Sequence, residues 1–120
     1  MLELTEAQIK RACQDYLEYQ QNLGKLMFLR LNSGDFIEVR GDTRRRIQGC
    51  PKGTADFIVI RKWYPRGAPN KWETIVTFIE IKSPSGKTTK VQDEFAELVE
   101  KQGAEYYVSR SIEELEEILK

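Results

Sequence analysis

The chain contains no histidine. That absence removes the commonest general base and the usual zinc ligand, so any hydrolytic chemistry has to rest on carboxylates and lysine. Cysteine is nearly absent too. Cys13 falls in a stretch with helical spacing and Cys50 in a turn-rich one, and the pair has no zinc pattern, so both read as buried or idle thiols rather than a disulfide or metal site. No apolar run approaches the roughly 20 residues that a bilayer requires. Met1 to Glu6 lacks the basic and apolar regions of a signal peptide. The expectation is a cytoplasmic protein with no membrane partner and no nucleotide cofactor. Low-complexity tracts, internal repeats and linkers are also missing.

What remains is 120 residues, 40% apolar and 32% charged, the size and composition of one globular domain spanning residues 1–120. The formal net charge is zero, but its distribution is uneven. Residues 1–39 carry 4 basic and 6 acidic side chains, residues 40–90 carry 12 and 4, and residues 91–120 carry 3 and 9. A basic middle containing Arg44, Arg45, Arg46, Arg61, Lys62 and Lys87 is the footprint of a phosphate-binding surface, or else a set of solvated basic loops.

Periodicity divides the chain into elements. Ile9, Ala12, Cys13, Tyr16 and Leu17 recur at helical spacing, and Thr5 with Gln8 forms a capping box, so Thr5 to Asn22 is predicted as a helix ended by Gly24. Lys25–Leu31 and Phe36–Arg40 are β-rich and flank Asn32-Ser33-Gly34-Asp35, which predicts a hairpin. Gly41 to Lys52 is polar and basic and is predicted as a loop. Thr54–Lys62 and Glu73–Lys82 are apolar on both faces and belong in the centre of a covered sheet. The segment between them is predicted as a long hairpin loop with Trp63 and Trp72 packed across the strands, in preference to a base-stacking platform. Thr89–Gln102 is a second helix stopped by Gly103, Ala104–Val108 a short strand, and Ser111 with Glu114 caps a last helix. The order αββββαβα implies an α/β fold with at least one parallel strand pair.

Two strands carry groups that folding does not require. In Thr77-Phe78-Ile79-Glu80-Ile81-Lys82, alternation places Glu80 and Lys82 on one face. In Thr54-Ala55-Asp56-Phe57-Ile58, Asp56 shares a face with aliphatic side chains. Burying an ionised carboxylate costs several kcal/mol unless it is paired or coordinated, and two carboxylates on neighbouring strands repel one another. Mg²⁺ relieves both penalties, because it takes one or two carboxylates and completes its octahedron with waters and phosphate oxygens; Mn²⁺ is an expected substitute. A metal held by Asp56 and Glu80 would activate water and polarise a phosphate. Lys82 would position that water, deprotonate it or stabilise the transition state, and the backbone carbonyl of Ile81 is a further candidate ligand. The structural alternative is a same-face ion pair near a strand end.

These residues, with their surroundings, resemble the virus-type replication-repair nuclease domain, VRR-NUC, of the PD-(D/E)xK superfamily. The resemblance covers nearly the whole chain. It rests on Thr5-Glu6-Ala7-Gln8-Ile9, Gly53-Thr54-Ala55-Asp56, Ile79 through Lys87 with Glu80-Ile81-Lys82 at its heart, Gln92, Gly103 and Val108-Ser109-Arg110-Ser111. One departure is Ala55, where the superfamily frequently has proline. The resemblance implies a restriction-endonuclease-like αβββαβ core, a mixed central sheet flanked by helices, plus a C-terminal helix. It also implies metal ligands at Asp56 and Glu80, a catalytic Lys82, and supporting roles for Glu6 and Gln92. Each of the last two has a second reading: Glu6 as a carboxylate favoured by the helix dipole, Gln92 as half of a capping box with Thr89.

The expected activity is metal-dependent, structure-selective DNA endonuclease cleavage, and short stand-alone members of the resembling family look like homodimeric resolvases of four-way (Holliday) junctions. The competing expectations are a monomeric flap endonuclease or nickase, and a catalytically inert DNA-binding module. Arg44, Arg45, Arg46, Lys52 and Lys87 are the candidate contacts to DNA phosphates.

Overall fold

In the computed structural model residues 3–120 are described; Met1 and Leu2, where the reading of the N-terminus begins, lie outside them. Helix α1 spans Glu6–Asn22. Its start is fixed by both halves of the expected capping box: the Gln8 N–H donates to Thr5 Oγ1 at 3.2 Å and the Thr5 N–H donates to Gln8 Oε1 at 2.8 Å. Ile9, Cys13 and Leu17 recur every fourth residue and are buried, forming the stripe that faces the sheet.

Strands β1 (Met27–Arg30), β4 (Phe57–Trp63), β5 (Glu73–Ile81) and β6 (Glu105–Ser109) form one sheet in the order β1-β4-β5-β6. Between β1 and β4 in sequence lie β2 (Asp35–Arg40) and β3 (Thr43–Gln48), paired with each other as a separate two-stranded ribbon. β1–β4 and β4–β5 are antiparallel; β5–β6 is parallel, joined by the crossover helix α2 (Lys90–Lys101). Helix α3 (Ile112–Ile118) closes the chain, capped by Ser111, whose Oγ accepts the Glu114 N–H at 3.1 Å.

Alternation sorts the central strands into two faces. Phe57 and Val59 of β4, with Ile79 and Ile81 of β5, are fully buried and pack with Ile9, Cys13, Leu17 and Leu115 in one core cluster. On the opposite face Phe95 of α2 meets Phe78 edge-on at 5.2 Å and Tyr106 at 6.2 Å. Helices α1 and α3 thus cover one side and α2 the other, giving the expected mixed α/β architecture with central β4 and β5. Leaving the ribbon aside, the order α1-β1-β4-β5-α2-β6 is the αβββαβ core, followed by the C-terminal helix.

Three local expectations are corrected. Lys25–Leu31 and Phe36–Arg40 do not form a hairpin: β1 pairs with β4, from Met27↔Ile60 to Arg30↔Phe57, and β2 pairs with β3. The segment 41–52 is not a loop throughout, since Thr43–Gln48 is β3, so five strands precede α2. Trp63 and Trp72 do not pack together, because Trp63 opposes Glu73 in the register and Trp72 therefore belongs to the other face. There it carries the Lys62 ammonium 4.6 Å from its ring centroid.

Candidate active site

The β4–β5 register runs Phe57↔Ile79, Ile58↔Phe78 and onward. One step beyond it, Asp56 falls opposite Glu80, so both carboxylates lie on one face at one end of the central strand pair. Asp56 is held by three contacts. Its Oδ2 accepts the Ile81 N–H at 2.8 Å, its Oδ1 lies 2.9 Å from Lys10 Nζ, and its backbone carbonyl accepts the Leu31 N–H at 2.8 Å. Ile81, expected as a carbonyl ligand, therefore meets Asp56 through its amide.

Glu80 is 5% exposed. Its Oε1 accepts a 3.0 Å hydrogen bond from Gln92 Nε2, while its Oε2 is buried without a hydrogen-bond partner. Burial and the neighbouring Asp56 push its carboxyl from 4.5 up to about 8, against the opposing pull of Lys82 and Lys10. A buried carboxylate with an orphaned oxygen, facing a second carboxylate, is a donor set that suits a hard divalent cation. Among the described residues no cluster of three or more His, Cys, Asp or Glu side chains that could hold a metal ion occurs, so a cation here would have two protein carboxylates and take its remaining ligands from water or substrate.

Lys82 follows β5 directly, its N–H donating to the Ser109 carbonyl at 3.1 Å. The turn behind it is fastened by Arg110, whose Nη1 donates to the Ser83 and Gly86 carbonyls at 2.8 and 2.5 Å. Gln92 makes two contacts at once. Its Oε1 accepts the Thr89 N–H at 2.9 Å, completing the capping box of α2, and its amide nitrogen reaches Glu80. Glu6 sits exposed in the first turn of α1. Its charge contributes to raising Glu80, but among the described residues it makes no hydrogen bond or ion pair through its side chain.

The phosphate-contact candidates are dispersed. Arg44, Arg45 and Arg46 lie on β3 and are exposed. Arg45 pairs with Glu38 at 3.4 Å and Arg46 with Asp35, so part of the ribbon's charge is neutralised internally. Lys52 and Lys87 are exposed in the turns leading into β4 and out of β5. Cys13 is buried, and burial raises its thiol to about 11, which leaves it inert.

Two residues at the centre were not anticipated. Lys10 has a readable signal, because it stands four residues after Glu6 and thus on the same side of α1. Tyr106, opposite Phe78 in the parallel register, has a buried hydroxyl with no partner, and its pKa is raised by burial and then by Glu80. Nothing in the sequence distinguished it from a core aromatic.

No protein-family model matches the chain, and no curated protein matches it. A solved structure described as a VRR_NUC domain does: it is 22% identical, the alignment covers 97% of this chain and 96% of that one, and the TM-score is 0.55. This chain has the VRR_NUC fold. The match spans the ribbon as well as the αβββαβ core. In this chain Asp56, immediately before β4, falls one step beyond the register and opposite Glu80, and α2 delivers Gln92 to Glu80.

Proposed function

We propose that this protein is a metal-dependent endonuclease that hydrolyses phosphodiester bonds in DNA. The observation that carries the reading is the juxtaposition of Asp56 and Glu80 across β4 and β5, one carboxylate oxygen being buried and unpartnered, in a chain with the VRR_NUC fold. Asp56 and Glu80 would hold Mg²⁺ or Mn²⁺. When bound, the ion would supply an acidified water and a Lewis acid for the phosphate. Gln92 fixes Oε1 of Glu80 and leaves Oε2 without a hydrogen-bond partner among the described residues, the oxygen that a cation would take. Lys82, two residues after Glu80 and close enough for its charge to pull the Glu80 carboxyl down, would use its ammonium to orient the attacking water or stabilise charge on the phosphate oxygens. The Arg110-bound turn after Lys82 limits where that ammonium can reach.

The substrate favoured under this reading is branched DNA, a four-way junction, cut by a homodimer whose two-fold axis supplies two sites. Labelled four-way junction, flap and linear duplex incubated in Mg²⁺, Mn²⁺ or EDTA test it, alongside sedimentation to establish the oligomeric state. Metal-dependent junction cutting by the native chain, reduced more than about 100-fold in both Asp56→Asn and Lys82→Ala, is the expected result. Equal cutting by all three proteins would assign the activity to a contaminant. A strictly monomeric protein that ignores junctions but cuts flaps would replace the resolvase with a flap nuclease, and tight binding without cutting would leave an inert module.

Lys10 occupies one oxygen of Asp56, so its ammonium and a metal compete for the same carboxylate. Lys10→Met is expected to lower the melting temperature of the metal-free protein, since two carboxylates are then left with less compensating charge. Because a competing ammonium is removed, the same change should tighten Mn²⁺ binding about 10-fold in calorimetry, the effect that one neighbouring charge has on a carboxylate's affinity for a proton. Unchanged affinity would show that Lys10 and the metal use Asp56 independently.

A further inference from the structure

The sheet face that carries Asp56 and Glu80 is only half covered. Over β5 and β6 it is closed by Phe95 of α2. Over β1 and β4 it is open: Leu29 and Met27, opposite Ile58 and Ile60, are 52% and 45% exposed. At the far end of this open strip lies a cleft of about 550 Å³, with Lys25, Ile60, Lys62, Tyr64, Trp72 and Thr74 in its walls. Lys62 opposes Thr74 in the register, so by strand alternation the wall formed by Ile60, Lys62 and Thr74 shares a face with the carboxylates, while Arg61 and Leu26 line the cleft from the strand end.

The chemistry of the cleft differs from that of the rest of the surface. No carboxylate lines it, although the chain as a whole has as many acidic as basic side chains. Tyr64 and Trp72 are 51% and 50% exposed, large apolar rings offered to solvent at the mouth of a concavity. The Lys62 ammonium stands over the Trp72 ring, and Lys25 has no salt bridge among the described residues. Arg61 also contributes to the wall, but its guanidinium is taken up by Thr77 and Glu105, at 3.2 and 3.7 Å. Aromatic rings at the mouth with two lysines in the walls, neither in a salt bridge among the described residues, fit a planar base with a phosphate on either side.

We propose that this cleft is a nucleotide subsite that takes an unpaired nucleotide of the DNA, with the base stacked on Trp72, the Lys62 ammonium passing from that ring to one adjoining phosphate and Lys25 taking the other. The proposal rests on the endonuclease reading for its substrate class. Six residues of strand separate Asp56 from Lys62, a span of about 20 Å at the usual rise, equal to about six base-pair steps of duplex. The cleft therefore selects DNA in which pairing ends about six steps from the bond that is cut.

Binding is measured in EDTA, so that nothing is cut. In Trp63→Phe the single remaining tryptophan is Trp72, and oligothymidylate should quench its fluorescence in a salt-sensitive way. Fluorescence anisotropy with a blunt duplex and with the same duplex carrying a single-stranded tail gives the second readout. Trp72→Ala should bind the tailed DNA about 5- to 150-fold more weakly and the blunt DNA within about twofold of the native protein, while Trp72→Phe restores tailed binding. If Trp72→Ala fails to fold, Lys62→Ala serves instead and should lower the salt-dependence slope on tailed DNA by about one. Absence of quenching, or equal losses on both substrates, overturns the subsite. A native protein that cuts DNA in Mg²⁺ while Trp72→Ala keeps its tailed affinity defeats the subsite and leaves the endonuclease reading standing. Quenching and selective loss in a protein that never cuts support the subsite and defeat the endonuclease reading.

Discussion

Glu80→Gln is expected to stabilise the metal-free protein at pH 9 while abolishing metal-dependent cleavage. The Glu80 carboxyl is raised from 4.5 to about 8, chiefly by burial and then by Asp56. A folded-state pKa above the unfolded one means that the neutral acid is what the fold prefers. Its contribution is fully present below about pH 4.5 and is lost as pH rises through about 8. At pH 9 the native chain thus bears the whole cost of a buried charge, of order a few kcal/mol, with about 5 kcal/mol as a ceiling. Glutamine has the same shape, keeps an oxygen for Gln92 Nε2, and has no charge to bury. Denaturant melts at pH 4 and pH 9 should show a gain from the substitution that is large at the higher pH and small at the lower, growing through the interval between about 4.5 and 8. Added Mg²⁺ should raise the melting temperature of the native chain at pH 9 and leave the variant unmoved. A variant that is destabilised equally at both values would mean that Glu80 is not a charge held in reserve. The substitution ties function to instability: the feature that suits Glu80 to a cation is the one that weakens the fold without it.

Gly53→Ala is expected to be among the most damaging single-methyl additions in the chain. Gly53 has φ +88, where an L side chain is strained, and an added Cβ would sit 2.6 Å from both Val91 Cγ1 and the Val91 carbonyl oxygen. Val91 lies in the first turn of α2, immediately before Gln92. The backbone of that turn has to give way, and Gln92 moves with it, away from its 3.0 Å contact with Glu80. Left-handed strain of about 1–3 kcal/mol and a backbone clash together should cost on the order of 3 kcal/mol or more. Cleavage should fall at least about 10-fold in the folded fraction, because displacement of about 1 Å near a reacting centre can cost 100-fold. Gly67→Ala is the control: its φ is +81, but nothing lies within 4 Å of the added Cβ, so it should carry the conformational strain alone and cut normally. If the two variants lose the same stability and activity, the Gly53–Val91 approach has no part in placing Gln92.

What was legible in the sequence follows from which forces act locally. The capping boxes at Thr5/Gln8 and Thr89/Gln92 are three-residue signals, and both form as spelled. The central strands announced themselves by apolar runs, and the parallel β5–β6 pair by the helix between them. Alternation alone placed Glu80 and Lys82 on one face, and the register then set Asp56 opposite Glu80. β3 was missed because Thr43-Arg44-Arg45-Arg46-Ile47-Gln48 is exposed along its length: it is a strand by virtue of its partner, not by burial, and hydrophobic periodicity cannot register that. The Asn32-Ser33-Gly34-Asp35 turn signal was real in composition, but β1 is claimed by β4 nearly thirty residues away, with Phe28 against Val59 and edge-on to Phe57. Tertiary burial overrode the local hairpin. Lys10 was overlooked for a different reason: its spacing from Glu6 is readable, but a lysine on a helix is ordinarily solvated, and the packing of α1 against the sheet is what brings it to Asp56.

The ribbon has a topological consequence. Because Arg30 pairs with Phe57, residues 31–56 are a single elaborated turn joining two adjacent antiparallel strands, and Asp56 is its last residue. The turn is cinched at its base by the Leu31–Asp56 backbone bond, and at its neck by bonds from Gly34 to Cys50 and from Cys50 to Asn32. A load taken by β2 and β3 reaches the sheet only through this cinch, so the ribbon acts as a lever whose fulcrum is an acidic residue of the proposed catalytic pair. Shortening the lever while keeping the cinch should leave the carboxylates in register, whereas cutting the cinch would leave Asp56 held through its side chain alone, by Ile81 and Lys10.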